Sequence, residues 1–151
     1  MKMLVQRVKN AKVSVEGKTT GEIEQGFLVL LGIAPEDTQE IMEKMVDKLL
    51  RLRIFSDEND KINLSLSDVG GSLLLVSQFT LYADCRKGNR PSFVHAAPPA
   101  QAEALYESCK AYCRERVPVV ESGIFGADMQ VELCNDGSFT VMLDSDEIIK
   151  R

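Results

Sequence analysis

Apolar and polar residues alternate one by one over Val5–Val8 and again over Val13–Val15, the period of strands with one buried face. In the first, Val5 and Arg7 share one side, and Leu4, Gln6 and Val8 share the other. Glu16-Gly17-Lys18 and Gln25-Gly26 are turn signals, and Phe27–Ile33 is an unbroken apolar run that predicts a central strand. The period then changes. Ile41, Met42, Met45, Val46, Leu49 and Leu50 form one stripe at helical spacing. Asp37 is the candidate cap of this helix, and Glu40 completes a capping box. Asp57–Asp60 reads as a turn.

After Gly70-Gly71 comes Ser72–Phe93, SLLLVSQFTLYADCRKGNRPSF. It opens as a buried strand and is then interrupted by Ser77, Gln78 and Thr80. Period two places Gln78 and Thr80 on one face with Val76 and Tyr82, while Ser77 and Phe79 point the other way. A second helix begins after Pro98-Pro99, proline being favoured in a first turn. Its stripe is Ala102, Leu105, Tyr106, Cys109, Tyr112 and Cys113. Gly123–Gly126 bounds a bend. Met129, Val131 and Leu133 alternate with polar neighbours, Asn135-Asp136-Gly137 is a hairpin signal, and Phe139, Val141 and Leu143 resume the alternation.

The pattern predicts seven or eight strands and two helices, with no repeat and no linker. It gives a single domain over residues 1–151 of the α+β class: curled, largely antiparallel, barrel-like sheets with two helices packed on them. The 151 residues are 44% apolar and 27% charged, as in a soluble globular domain. The run Phe27–Leu31 is too short to cross a bilayer, and MKMLVQRVKN lacks the apolar stretch of a signal peptide, so no membrane partner and a cytoplasmic location are expected.

The net charge of −5 argues against indiscriminate nucleic-acid binding. Arg86, Lys87 and Arg90 nevertheless cluster in this acidic chain. On charge alone they read either as a solvated loop or as a phosphate contact at the mouth of a site. The four cysteines, Cys85, Cys109, Cys113 and Cys134, form no Cys-x-x-Cys pair, and His95 is the only histidine. They are expected to be small core hydrophobes, reduced in the cytosol, and no metal or other cofactor is called for.

Gln78 and Thr80 either face water on an ordinary sheet or present an amide and a hydroxyl to a polar ligand beside the basic loop. There is no Gly-x-Ser-x-Gly elbow and no Walker phosphate loop. A substrate that is already labile, held against backbone donors, suits these residues better than side-chain acid–base chemistry.

Several separated motifs carry a resemblance along essentially the whole chain. They are Gln6-Arg7-Val8, Ser77-Gln78-Phe79-Thr80-Leu81, Lys87-Gly88-Asn89-Arg90-Pro91-Ser92-Phe93, Gly123-Ile124-Phe125-Gly126-Ala127, and Asn135-Asp136-Gly137 with Thr140. In these the sequence resembles the D-aminoacyl-tRNA deacylases. The resemblance implies their fold and a homodimer. It also implies hydrolysis of the ester between a D-amino acid, or glycine, and the terminal adenosine of tRNA, a proofreading step in translation. By the same resemblance Ser77, Gln78, Phe79 and Thr80 line the catalytic site, with Thr80 a candidate nucleophile and backbone plus the ribose 2′-hydroxyl the favoured machinery. Phe125 and Met129 match the adenosine-holding positions. Arg86, Lys87 and Arg90 become contacts to the acceptor end of aminoacyl-tRNA. Arg7 braces a chirality-selecting loop that holds Gly137 and Ser138.

That loop departs from the family pattern Asn-x-Gly-Pro-Val-Thr, since Ser138 stands where proline is expected. A cis bond costs about 0.5–1 kcal/mol before proline and about 2.5–4 kcal/mol before other residues, so Gly137–Ser138 is expected to be trans and rejection of L-substrates to be loosened. Two alternatives follow: an editing deacylase of relaxed chirality that also acts on L-aminoacyl-tRNA, and a non-catalytic nucleic-acid-binding dimer.

Overall fold

In the computed structural model, which describes residues 1–149, the N-terminal strand runs on past Val8, although the alternation itself breaks where Arg7 and Val8 are both buried and Lys9 and Asn10 both exposed. Lys2–Val15 is one strand, β1. Its length lets it organise the sheet. Residues 2–8 pair antiparallel with β3 (Gly26–Gly32), and residues 11–15 pair with β2 (Lys18–Ile23). Along its length β1 also pairs antiparallel with β8 (Met129–Asp144).

The order continues from β3 to β6 (Ser72–Ser77) and β7 (Val120–Ser122), and both of these ladders are parallel. The sheet is therefore mixed, with its antiparallel ladders around β1. Each parallel step needs a long crossover. The first carries α1 (Gln39–Arg51) and a small hairpin, β4 (Phe55–Ser56) with β5 (Ile62–Leu64). The second carries α2 (Pro99–Arg114). At the far side β2 meets β7: a Cβ on Gly21 would lie 2.7 Å from the Ser122 carbonyl oxygen, so the sheet curls almost closed.

Both faces of β3 and β6 are covered, which is why their sequences read as continuous apolar runs. Phe27, Val29, Leu31, Leu73 and Leu75 pack toward α1 and α2 with Met45, Leu49, Tyr106 and Cys109. Leu28, Leu74 and Val76 pack inside the curl with Val8, Val13 and Ile23. Each such side chain contributes roughly 1.5–3 kcal/mol by leaving water.

The helical stripes bury as the spacing predicts, but the cap of α1 differs. Thr38, not Asp37, is the N-cap, its hydroxyl accepting from Ile41 N at 3.2 Å. Asp37 is committed elsewhere. Its buried carboxylate accepts from Ala34 N at 2.7 Å and from the Met1 ammonium at 2.9 Å. The second helix starts at Pro99 as expected, and a bond of 2.8 Å from the Tyr112 hydroxyl to Asp47 ties it to α1. A short third helix, α3 (Ser145–Ile148), follows β8 and has no apolar stripe to announce it.

The cysteines divide. Cys109 and Cys113 are buried free thiols on one face of α2, whereas Cys85 and Cys134 are exposed, so the expectation of four core cysteines is corrected for those two. The hydrogen bond between the buried pair, followed by burial, pushes the Cys109 thiol up, while the same bond lowers Cys113.

The Asn135-Asp136-Gly137 signal does not join two mutually paired strands. Val8 pairs with Asn135 and Gln6 with Thr140, so residues 136–139 loop out of a single strand opposite Arg7. Among the described residues no helix is long and apolar enough to cross a membrane.

Candidate functional site

Strand β6 ends at Ser77. Gln78 N donates to the Leu31 carbonyl at 2.8 Å, and the chain then tightens into a 3-10 turn over Phe79–Tyr82. The expected period-two facing of Gln78 and Thr80 is therefore corrected. The turn, not a pleat, brings them together: the Gln78 side-chain amide donates to the Thr80 hydroxyl. Being first in the turn, the N–H groups of Phe79 and Thr80 have no acceptor within it. Gly32 lets the turn pack closely, since a Cβ there would lie 3.2 Å from the Tyr82 ring. The Lys2 ammonium covers that ring at 4.9 Å, and burial pushes the Tyr82 hydroxyl well up.

Beside this turn lies a largely apolar cavity of about 640 Å³ at the mouth of the curled sheet. Val76, Met129 and Val131 line it, continuing the inner core outward. One wall is Ser77–Phe79, another comes from Phe93–Pro98, and a third from Phe125–Ala127. Phe79, 54% exposed, meets Phe93 edge to face at 5.1 Å. Phe125 packs against Tyr106 at 6.0 Å, and the Tyr106 hydroxyl is fixed by a 2.9 Å bond to the Leu75 carbonyl. Gly123 leaves room for the Met129 side chain, whose flexible thioether a Cβ there would have to displace.

The structure thus gathers Ser77, Gln78, Phe79, Phe125 and Met129 around one cavity. Thr80 is exposed and joins through Gln78. Phe93 and Val94, which the sequence reading did not single out as lining residues, complete the wall. Phe93 closes the Lys87–Phe93 motif of the resemblance, whereas Val94 has only its position just after the basic loop to signal it.

Arg7, Gly137 and Ser138 form a separate group in this chain. Arg7 is buried, with Nε donating to the Asp136 carbonyl at 2.9 Å and Nη1 to the Ile54 carbonyl at 2.6 Å. Its guanidinium lies 4.8 Å from the Phe139 ring centroid. The Asn135 side chain accepts from Phe139 N and donates to the Thr140 hydroxyl at 2.9 Å. Gly137 has φ +138°, and a Cβ there would lie 2.8 Å from Arg7 Nη2. The Gly137–Ser138 bond is cis, which corrects the expectation of a trans bond. That expectation weighed only the intrinsic preference of the bond. It gave no weight to the Arg7 brace and did not include Asn135, whose contacts hold the segment on the other side.

Arg86, Lys87 and Arg90 are exposed, but they are not equivalent. Arg86 is engaged by Asp84, whose carboxyl is held well below the usual range by the Arg86 hydrogen bonds. Lys87 and Arg90 make no ion pair among the described residues. No group of three or more His, Cys, Asp or Glu side chains able to hold a metal ion occurs among the described residues.

The chain belongs to the D-Tyr-tRNA(Tyr) deacylase family, whose model matches residues 4–144. It is 55% identical over 148 residues to a D-aminoacyl-tRNA deacylase of Thermosipho africanus (strain TCF52B), covering 98% of this chain and 99% of that one. It is also 55% identical over 145 residues to a D-aminoacyl-tRNA deacylase of Stutzerimonas stutzeri (strain A1501), covering 96% and 100%. A solved c-Myc DNA Unwinding Element Binding Protein superposes with a TM-score of 0.90 at 46% identity, over 95% of this chain and 98% of that one. A probable eukaryotic D-amino acid tRNA deacylase shares the fold, with a TM-score of 0.80 at 20% identity over 94% and 97%.

Proposed function

We propose that this protein hydrolyses the ester between a D-amino acid, or glycine, and the terminal adenosine of tRNA, releasing free tRNA and amino acid in the cytoplasm. The observation that carries the reading is the meeting of Ser77, Gln78 and Phe79 with Phe125 and Met129 around one cavity, with Thr80 bonded to Gln78 beside it. The adenine stacks on Phe125 with Met129 beneath, since an aromatic ring accepts the face of any base. The ester carbonyl then lies toward the Phe79 and Thr80 amides, which stabilise the developing oxyanion; one such donor is worth about 10²–10³ in kcat.

Water adds to the carbonyl carbon, and the bond to the ribose oxygen breaks. The neighbouring ribose hydroxyl assists as the proton passes to the leaving oxygen. Thr80 is poorly placed to be a nucleophile. Its side-chain partner is the Gln78 amide, which is a donor and no base. Thr80→Ala is therefore expected to keep single-turnover deacylation within about tenfold of the parent protein, whereas loss of a covalent nucleophile costs several powers of ten.

Within one chain the Gly137 loop and the cavity share no lining residue. A homodimer in which the loop of one copy enters the cavity of the other unites them, with closed two-fold symmetry. Sedimentation at micromolar concentration is expected to show a dimer; a stable, fully active monomer would exclude the shared site. A second reading, DNA binding without chemistry, draws support from the name of the relative at 46% identity. Hydrolysis of D-aminoacyl-tRNA by the purified protein separates the two.

A further inference from the structure

After the 3-10 turn the chain leaves the cavity and comes back to it. Asp84 and Ser92 exchange both backbone hydrogen bonds, at 2.7 and 2.9 Å, so residues 85–91 form a closed excursion that carries the basic side chains. Just past the bridge, Phe93 and Val94 line the cavity. The Asp84 side chain, 18% exposed, touches both arms. Its Oδ1 accepts from Arg86 N at 3.1 Å and Arg86 Nε at 2.9 Å, and its Oδ2 accepts from Arg86 Nη2 at 2.8 Å. On the returning arm His95 Nε2 lies 3.5 Å from the same Oδ2.

We propose that Asp84 is a positioning residue that locks the basic loop to the cavity wall, committing Arg86 to the loop's own architecture and leaving Lys87 and Arg90 as the cations that face nucleic acid. The inference rests on the aminoacyl-tRNA reading above. This fork-to-fork pair uses both oxygens of the carboxylate and the Nε/Nη2 edge of the guanidinium, so it fixes direction as well as distance. It holds its arm where the Asp84–Ser92 bridge places it. Phe93 is the next residue, and its ring meets Phe79 in the catalytic turn. A loosened clamp therefore moves the wall against which the terminal adenosine and amino acid sit, although Arg86 itself lines no part of it. Exposed ion pairs add little to global stability, so the role is geometric.

Two substrates separate the roles: full-length D-Tyr-tRNA, and D-tyrosyl-adenosine, which has no phosphate. Asp84→Asn and Arg86→Gln are expected to raise KM for D-tyrosyl-adenosine about fivefold with little change in kcat. Lys87→Gln and Arg90→Gln are expected to raise KM for the tRNA and to flatten its salt dependence, as the loss of a phosphate contact does. If Arg86→Gln raises KM for the tRNA only, Arg86 is a phosphate contact and the proposal is overturned. Amide hydrogen exchange at Ser92 gives a second readout without substrate. Faster exchange in Asp84→Asn and Arg86→Gln, but not in Lys87→Gln, supports the clamp, and unaltered exchange overturns it. A parent protein inactive on both substrates would sink the deacylase reading instead, and the exchange result would still judge the clamp.

Discussion

Phe125→Ala is expected to lower kcat/KM for D-aminoacyl-tRNA roughly tenfold to a hundredfold, the equivalent of about 1–3 kcal/mol for a lost aromatic stack on one base. The loss should fall mainly on KM, because the ring holds the adenine equally in ground and transition states. Phe125 is only half-buried, and its aromatic neighbour is Tyr106, which keeps its own bond to Leu75. The fold should therefore survive the truncation. Phe125→Trp keeps a stacking face and should restore most of the binding. A kcat/KM within twofold of the parent protein for Phe125→Ala would remove the adenine from this wall.

Arg7→Leu is expected to lower unfolding free energy by about 2–4 kcal/mol. Hydrogen bonds to a charged group contribute about 1.5–3 kcal/mol each, and leucine leaves the carbonyls of Ile54 and Asp136 without that donor. For a domain of this size that corresponds to a fall in Tm of roughly 5–15 °C. Arg7→Lys should recover little. One ammonium cannot hold two carbonyls in different directions and also cover the Phe139 ring as the planar guanidinium does. Thermal unfolding followed by circular dichroism measures this, and a Tm unchanged in Arg7→Leu would show that the segment 136–139 stands without the arginine.

How far the sequence could be read depended on whether a feature is local. The stripes Met42–Leu49 and Leu105–Cys113 and the start of α2 at Pro99 follow from spacing and from proline chemistry. The runs Phe27–Leu31 and Leu73–Val76 mark buried strands, both of whose faces are covered, but the expectation of largely antiparallel sheets did not include their parallel ladder. Asp37 misled because its carboxylate is claimed by the Met1 ammonium, 36 residues away, so a valid capping motif lost to a distant partner. Gln78 and Thr80 were placed together by resemblance and by period two. The neighbouring contact is real, but a 3-10 turn makes it, and no periodicity announces where a strand tightens into a turn. The geometry at Gly137–Ser138 was hidden for a similar reason. Its supports, Arg7 and Asn135, act through space and through the scaffold rather than through the residue that replaces proline. The wall from Phe93 to Pro98 has no pattern of its own and is defined only by what it faces.

The most direct test is deacylation by the purified protein of D-Tyr-tRNA, Gly-tRNA and L-Tyr-tRNA, each compared with its spontaneous hydrolysis. The account predicts rapid release of D-tyrosine and glycine and little or no release of L-tyrosine. Equal release from the D- and L-substrates would assign the protein to editing of relaxed chirality. No release above the spontaneous rate from any of the three would contradict the account.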